Sequence, residues 1–454
     1  MLKNRKIAES SAQQLRAIFS RNRAGQPLGT YAVCSAHPVV LQAAIAQARE
    51  DGSILHVEST SSQVNQFGGY TGTTPEQFGA NIRELASNSG LNTDDVLLGS
   101  DHLGPFAWRK EPASSAMEKA CELARASIRA GYQKLHFDAS MACGDDGPSI
   151  SEETIAQRAA LLCEAAEQEV STGGFERPLY VVGTEVPPPG GEVAEGSCPP
   201  PTRADDVGRA LEVFRQAFTA RGLERAWENV IAIVVQPGVE FGNEVVFDYD
   251  PLVAEPLVRA LPRDSDLVYE AHSTDYQPAD KLAKLVEDHF AILKVGPWLT
   301  FAYREAVFAL GLIERELLGK KQGARLSRVR EVLDAEMLRN PGYWNSYYKG
   351  GETEMELARA YSFSDRSRYY WPAASVQEEV KLLLRNLSSG AIPLTLLSQY
   401  MPMEYRGVQE HRVPNTPEAL IQEHIQQVLR QYAGACRVLR PVNDLSGQSE
   451  EQDR

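Results

Sequence analysis

The chain has 454 residues, 43% hydrophobic and 24% charged, with a formal net charge of −15. This suits a soluble globular protein with a large core, and the acidic balance argues against nucleic acid or an anionic membrane as the main partner. Six cysteines without CxxC spacing fit reduced thiols, no apolar run nears the roughly 20 residues of a membrane span, and charged Met1–Lys6 lacks the apolar stretch of a secretory signal, so a cytoplasmic protein is expected.

Residues 8–22 read as an amphipathic helix with Leu15, Ile18 and Phe19 on one face, and a linker with two glycines and Pro27 leads into the first strand. The predicted strands are Tyr31–His37, Ile54–Thr60, Val96–His102, Lys134–Ser140, Leu179–Glu185, Val230–Gly238, Leu267–Ser273 and Phe290–Pro297. All are short runs rich in β-branched or aromatic residues, as buried parallel strands are. Helical patterns alternate with them: Val39–Arg49, a helix capped by Thr74 with Pro75 at its first position, then Ala116–Ala130, Ile155–Glu169, Ala204–Ala220, Pro251–Leu261, Pro278–Asp288 and Phe301–Leu318. Eight such units over roughly 290 residues predict an α/β fold, a (β/α)8 TIM barrel. A doubly wound sheet is the alternative, but its glycine-rich first turn is absent.

Beyond about residue 319 the alternation stops, and Leu326–Asn340, Glu354–Tyr361, Ser375–Leu387 and Pro417–Tyr432 predict a C-terminal helical extension. The expected organisation is an N-terminal helix and linker (1–27), a barrel (28–318), a helical region (319–440) and a disordered polar tail (441–454). Tyr343, Trp344, Tyr347 and Trp371 are the expected exposed aromatics of a partner surface, with packing on the barrel the commoner fate of such residues.

In a barrel the active site forms where strands end. The strand ends here offer Ser35 and His37, Glu58, Asp101 and His102, Asp138 and Ser140, Glu185, Gln236, His272 and Asp275, and Lys294. His102, Glu185 and His272 come from three strand ends, as ligands of one divalent ion such as zinc would; the plainer reading is histidines bonded to carboxylates. Asp101 and Glu185 are the candidate general acid/base groups, or else carboxylates that support a ligand. Asp138, Ser140, Gln236, Asp275 and Lys294 are candidate substrate contacts, and His136 reads as a satisfied interior histidine. Lys294 suits either a Schiff-base lysine or, preferably, a charge partner for the carboxylates. Glu58–Gly72 is dense in hydroxyls, amides and glycines, which places Glu58, Asn65 and Gln66 among candidate sugar contacts. Pro187–Gly191 suggests a rigid rim.

Val33–Pro38, Gln63–Gly72, Asp101–Pro105, His136–Ser140, Gly183–Pro187, Val235–Phe241, Tyr269–Gln277, Leu293–Pro297, Ser364–Pro372 and Ser398–Pro402 together carry a resemblance. Across about residues 28–436 the chain resembles the GatZ/KbaZ family, described as accessory subunits of class II tagatose-1,6-bisphosphate aldolase. That family is similar to zinc-dependent catalytic aldolases. The resemblance matches Asp101 to their proton-transfer aspartate and His102 and His272 to their metal histidines. Two departures stand out: Gln236 occupies a ligand-histidine position, and Ser273-Thr-Asp-Tyr276 replaces the glycine-rich phosphate turn. No cationic side chain in the motifs announces itself as a phosphate holder.

Three functions therefore stay open. The chain is expected to be an accessory subunit paired with a class II aldolase catalytic subunit, an independent metal-dependent ketose or keturonate C4-epimerase or aldolase, or a sugar-binding protein without turnover. The implied ligand is a small sugar or sugar phosphate, with homo-oligomers also open. A tagatose-6-phosphate kinase label, carried by some relatives, finds no nucleotide-binding motif here.

Overall fold

Each apolar run becomes a parallel strand because its side chains are covered on both faces, by the barrel interior and by the helices outside. The computed structural model of the chain describes residues 10–147, 149–183, 198–263 and 265–438. The strands are β1 (Thr30–Val33), β2 (Leu55–Thr60), β3 (Val96–Leu103), β4 (Lys134–Phe137), β5 (Leu179–Gly183), β6 (Val230–Val235), β7 (Val268–Ala271) and β8 (Ile292–Val295). They close into one barrel in chain order, β8 pairing β1 through Thr30 with Ile292 and Val33 with Val295. The predicted TIM barrel with C-terminal helices is thus the observed fold.

The barrel interior is layered. Its floor is apolar, built from Ala32, Leu97, Val181, Val234, Val268 and Ile292, and plugged from below by Leu15 and Phe19 of the helix Ser11–Arg23. That helix is fixed by a Ser10–Gln13 capping box and by the Ser11 hydroxyl donating to the Val96 carbonyl at 3.2 Å. Above the floor the inward positions turn charged, with Glu58, Lys134 and Glu270 fully buried. This differs from the branched apolar filling expected of a barrel and moves the chemistry into the upper interior.

Among the described residues nine helices, one of them the single turn Glu224–Trp227, alternate with or follow the strands outside, from Pro38–Asp51 to Pro297–Leu318. The long C-terminal helix Pro417–Cys436 joins this ring, packed against Pro38–Asp51, Ala279–Glu287 and Pro297–Leu318. Its Tyr432 hydroxyl donates to the Thr274 carbonyl at 2.7 Å, and the Gly29 amide donates to the Cys436 carbonyl at 3.0 Å. Two further helices, Leu394–Tyr400 and Pro402–Gln409, and a hairpin of Glu240–Phe241 with Val246–Phe247 were not anticipated; each is too short to show a period. No helix among the described residues is long and apolar enough to cross a membrane.

The expected exposed aromatic surface is not formed. Trp344 and Trp371 are 4% and 0% exposed, while Tyr343 and Tyr347 face the cavity above the barrel. Trp371 packs edge-on against Tyr303 of the helix after β8, whereas Trp344 is buried within the C-terminal region, its indole donating to the Met337 carbonyl at 2.7 Å. Glu185, the Pro187–Gly191 segment and the 441–454 tail lie outside the described residues.

Candidate functional site

Alternation along the strands builds the site. On β2, His56 and Glu58 point inward; on β4 and just beyond, Lys134, His136 and Asp138; on β7 and just beyond, Glu270 and His272. Lys294 enters from β8 and Asp101 from β3. Gly99 on β3 leaves the room that Glu58 fills, since a Cβ there would lie 2.9 Å from the Glu58 Cγ.

The lower part is an ion-pair network. Lys134 Nζ lies 2.6 Å from both Glu58 Oε1 and Glu270 Oε2. Lys294 Nζ pairs with Glu58, with Asp101 Oδ1 at 2.9 Å and with Glu270 Oε1 at 3.3 Å. His56 Nε2 lies 2.6 Å from Glu58 Oε1. Burial alone would raise the carboxyl pKa values. The lysines and histidines outweigh it, holding Glu58 near 2 and Asp101 and Glu270 well below the usual range. Burial would likewise lower the Lys294 pKa, but Asp101, Glu270 and Glu58 hold it well above its ordinary value. Lys294 is therefore an ammonium group.

The upper part is imidazole. The rings of His102, His136 and His272 face one another at 4.9–5.4 Å between centroids. His102 Nδ1 lies 2.8 Å from Asp138 Oδ2, and Asp138 Oδ1 accepts from the Ser140 amide and hydroxyl at 2.9 and 2.6 Å. His272 Nε2 lies 3.0 Å from Glu270 Oε1; burial pushes its pKa down to about 4, so the ring is neutral at neutral pH. His136 Nδ1 lies 3.3 Å from Asp101 Oδ1, and its Nε2 is buried without a hydrogen-bond partner among the described residues. The satisfied interior histidine expected at 136 is thus half satisfied.

Asp101, His136, Glu270 and His272 each offer a ligand atom within 4.8 Å of the others. Two imidazoles and two carboxylates suit zinc or a similar divalent ion. His136 Nδ1 accepts from the His102 amide at 3.3 Å and faces the carboxylates, 3.3 Å from Asp101 Oδ1 and 3.7 Å from Glu270 Oε1, so with its proton on Nε2 the ring turns a lone pair toward them and the donor set fits. The backbone is strained beside it: His102 and Ser273 have φ of 49° and 54°, left-handed values that non-glycine residues adopt at a cost and that cluster at functional sites.

The cluster opens into a cavity of about 1120 Å³. Asp101, His102, His272, Asp275 and Lys294 line it from the barrel, and Tyr343, Tyr347, Arg366, Arg368 and Tyr369 from the C-terminal region. Asp275 Oδ1 accepts from the amides of Gly296 and Trp298 at 3.0 and 2.8 Å, at the start of the helix after β8. Burial raises its pKa to about 6 against those donors.

Among the sequence-predicted residues, Glu58, Asp101, His102, Asp138, His272 and Lys294 converge, with Ser140 bonded behind Asp138. Asn65, Gln66 and Gln236 make backbone hydrogen bonds: Asn65 to Ser61, Phe67 and Gly69, Gln66 to Lys119, and Gln236 to Gly238 and Val239. His56, Lys134 and Glu270 were missed. Each sits two residues before a recognised position, a period-two signal that was open to reading.

The sequence matches the family described as D-tagatose-1,6-bisphosphate aldolase subunit GatZ/KbaZ-like over residues 15–437. It is 45% identical over 422 residues to the D-tagatose-1,6-bisphosphate aldolase subunit GatZ of Salmonella enteritidis PT4, covering 93% of this chain and 99% of that one. The GatZ subunit of Escherichia coli O1:K1 is 44% identical, with 93% and 100% covered. The crystal structure of a probable tagatose 6 phosphate kinase from Sinorhizobium meliloti 1021 superimposes with a TM-score of 0.82 at 41% identity, covering 90% of this chain and 100% of that one. By this similarity through barrel and C-terminal helices together, the chain belongs to the GatZ/KbaZ-like family.

Proposed function

We propose that the chain serves carbohydrate metabolism as the accessory subunit of a class II tagatose-1,6-bisphosphate aldolase. The observation that carries this reading is the 45% identity to relatives named as that subunit, over 93% of the chain. The role is to stabilise or complete a separate catalytic subunit, with the barrel cavity holding a ketose-type sugar phosphate. The test is reconstitution. A class II aldolase catalytic subunit should gain activity or half-life at assay temperature when this chain is added in equal amount; no gain in either sinks the reading.

A second reading, an independent metal-dependent ketose or keturonate C4-epimerase or aldolase, is favoured by the Asp101–His136–Glu270–His272 cluster at the cavity floor. His136, His272 and Glu270 would hold a divalent ion, zinc by donor type, with His102 beside them; Glu185 stays in the proposed ligand and acid/base set on its sequence position alone. When bound, such an ion supplies Lewis-acid polarisation of a substrate carbonyl. Asp101, kept ionised by His102 and Lys294, is the group to take a proton from a substrate carbon or hydroxyl. Lys294, locked as an ammonium by three carboxylates, stabilises that charge and is unavailable for a Schiff base, which needs a neutral amine. Epimers formed by the purified chain with divalent ion would establish this reading.

A further inference from the structure

Barrels commonly hold a substrate phosphate at the loops after the seventh and eighth strands, on the amides of a helix N-terminus. Here that place is taken by the protein itself: the Asp275 carboxylate accepts from the Gly296 and Trp298 amides. An anionic substrate group is excluded there by charge and by the loss of free donors. Cationic side chains line the same cavity elsewhere, among them Arg109 and Lys110 after β3 and Arg366 and Arg368 from the C-terminal region.

Arg366 and Arg368 both line the cavity. Arg366 is 2% exposed, its Nε and Nη2 have no hydrogen-bond partner among the described residues, Nη1 donates to the Tyr343 carbonyl at 3.3 Å, and the guanidinium also acts on the Tyr369 hydroxyl. Arg368 donates to the Ser364 and Asp365 carbonyls and to the Tyr369 hydroxyl at 2.9 Å. Neither arginine forms an ion pair with a carboxylate among the described residues, although the charges of Asp365 and Asp275 reach Arg368. The field is strong enough that, although burial raises a phenol, the two guanidinium groups outweigh it and lower Tyr369. The segment is held rigidly: Asp365 accepts from Thr300 Oγ1 at 2.6 Å and Arg304 Nε at 3.1 Å, and Tyr276 donates to the Phe363 carbonyl at 2.6 Å.

A buried guanidinium with two idle donors is costly unless an anion meets it. We infer that Arg366 and Arg368 form an anion subsite on the cavity's C-terminal wall, which takes the phosphoryl group of a small sugar-like ligand. The idle nitrogens of Arg366 are buried beside the Tyr347 ring, so the side chain turns off that ring to meet the anion. A planar fork of donors suits a phosphoryl group better than a single ammonium would. This inference is independent of any metal and of the accessory or catalytic role.

The experiment is calorimetric titration of the full chain with inorganic phosphate, fructose 6-phosphate and glucuronate at fixed ionic strength. The expected result is saturable binding of both phosphoryl ligands, weakened about tenfold or more in Arg366→Gln and less in Arg366→Lys, and unchanged in Arg215→Gln on the surface. Tighter fructose 6-phosphate than phosphate assigns the subsite to a substrate's phosphoryl group, and equal affinity assigns it to the free oxyanion; both support it. If Arg366→Gln does not fold, the unaltered chain decides, because phosphate but not chloride must then raise its melting temperature with concentration. No phosphate binding, binding of glucuronate alone, or equal affinity in a folded Arg366→Gln overturns the inference.

Discussion

Lys294 on β8 reaches Asp101 on β3, three strands away around the barrel, at 2.9 Å. The same ammonium also pairs with Glu58 and Glu270, so one side chain balances three carboxylates from three strands. Replacing it leaves buried negative charge uncompensated, which is far costlier than losing an exposed pair. Lys294→Met is expected to destabilise the fold by about 3–5 kcal/mol, measured as a shift in urea midpoint. An unchanged midpoint would show the network to be dispensable.

The histidine cluster predicts a metal dependence. His136→Ala and His272→Ala should each weaken zinc retention by about tenfold or more, as loss of a ligand or its support does. His102→Ala should do likewise if its ring, 4.9 Å from that of His272, shares the ion. Metal content after dialysis is the readout, and full stoichiometry in all three variants rules out the cluster as a metal site.

A pH effect is expected away from the cavity, at His424 on the C-terminal helix. Burial would lower its pKa, but Glu305 and Glu404 outweigh it and raise it to about 9, with Nδ1 2.7 Å from Glu404 Oε1. A raised pKa stabilises the fold fully below the unfolded value near 6.5, and that contribution is lost as pH rises through 9. The ring is 25% exposed, so the effect is about 2 kcal/mol after screening. Unfolding free energies of the wild type and His424→Gln should converge between pH 6.5 and 9; a constant gap would mean the pairing is not electrostatic.

Gly104 ends β3 against the backbone beyond β4. A Cβ there would lie 1.6 Å from the Asp138 carbonyl oxygen, so Gly104→Ala must push the two segments apart. It should cost about 3 kcal/mol or more and loosen the Asp138–His102 contact. A variant with native melting temperature would contradict this close approach.

Much of this was legible in sequence because barrel strands are short apolar runs whose ends carry polar groups. Asp101, His102, Asp138, His272 and Lys294 could be placed together from that alone. Reading only strand ends hid Glu270, Lys134 and His56, which lie one inward position deeper and are buried within the barrel. Arg366 and Arg368 were also out of reach. They lie about 70 residues after β8, and only the anchoring of Asp365 on Thr300 and Arg304 brings them over the barrel mouth. For the aromatic residues weighed as a partner surface the packed alternative holds, and letters alone do not tell a side chain that faces a cavity, as Tyr343 and Tyr347 do, or one buried among helices, as Trp344 is, from one that faces solvent.

The most direct test of the central claim measures triose phosphate release from tagatose-1,6-bisphosphate in three parallel samples, each with divalent ion: this chain alone, a class II aldolase catalytic subunit alone, and the two together. The account predicts no release by this chain, some by the catalytic subunit, and more, or longer-lived, release by the mixture. Release by this chain alone, with no gain on mixing, would contradict the accessory role and make the Asp101 cluster an active site in its own right.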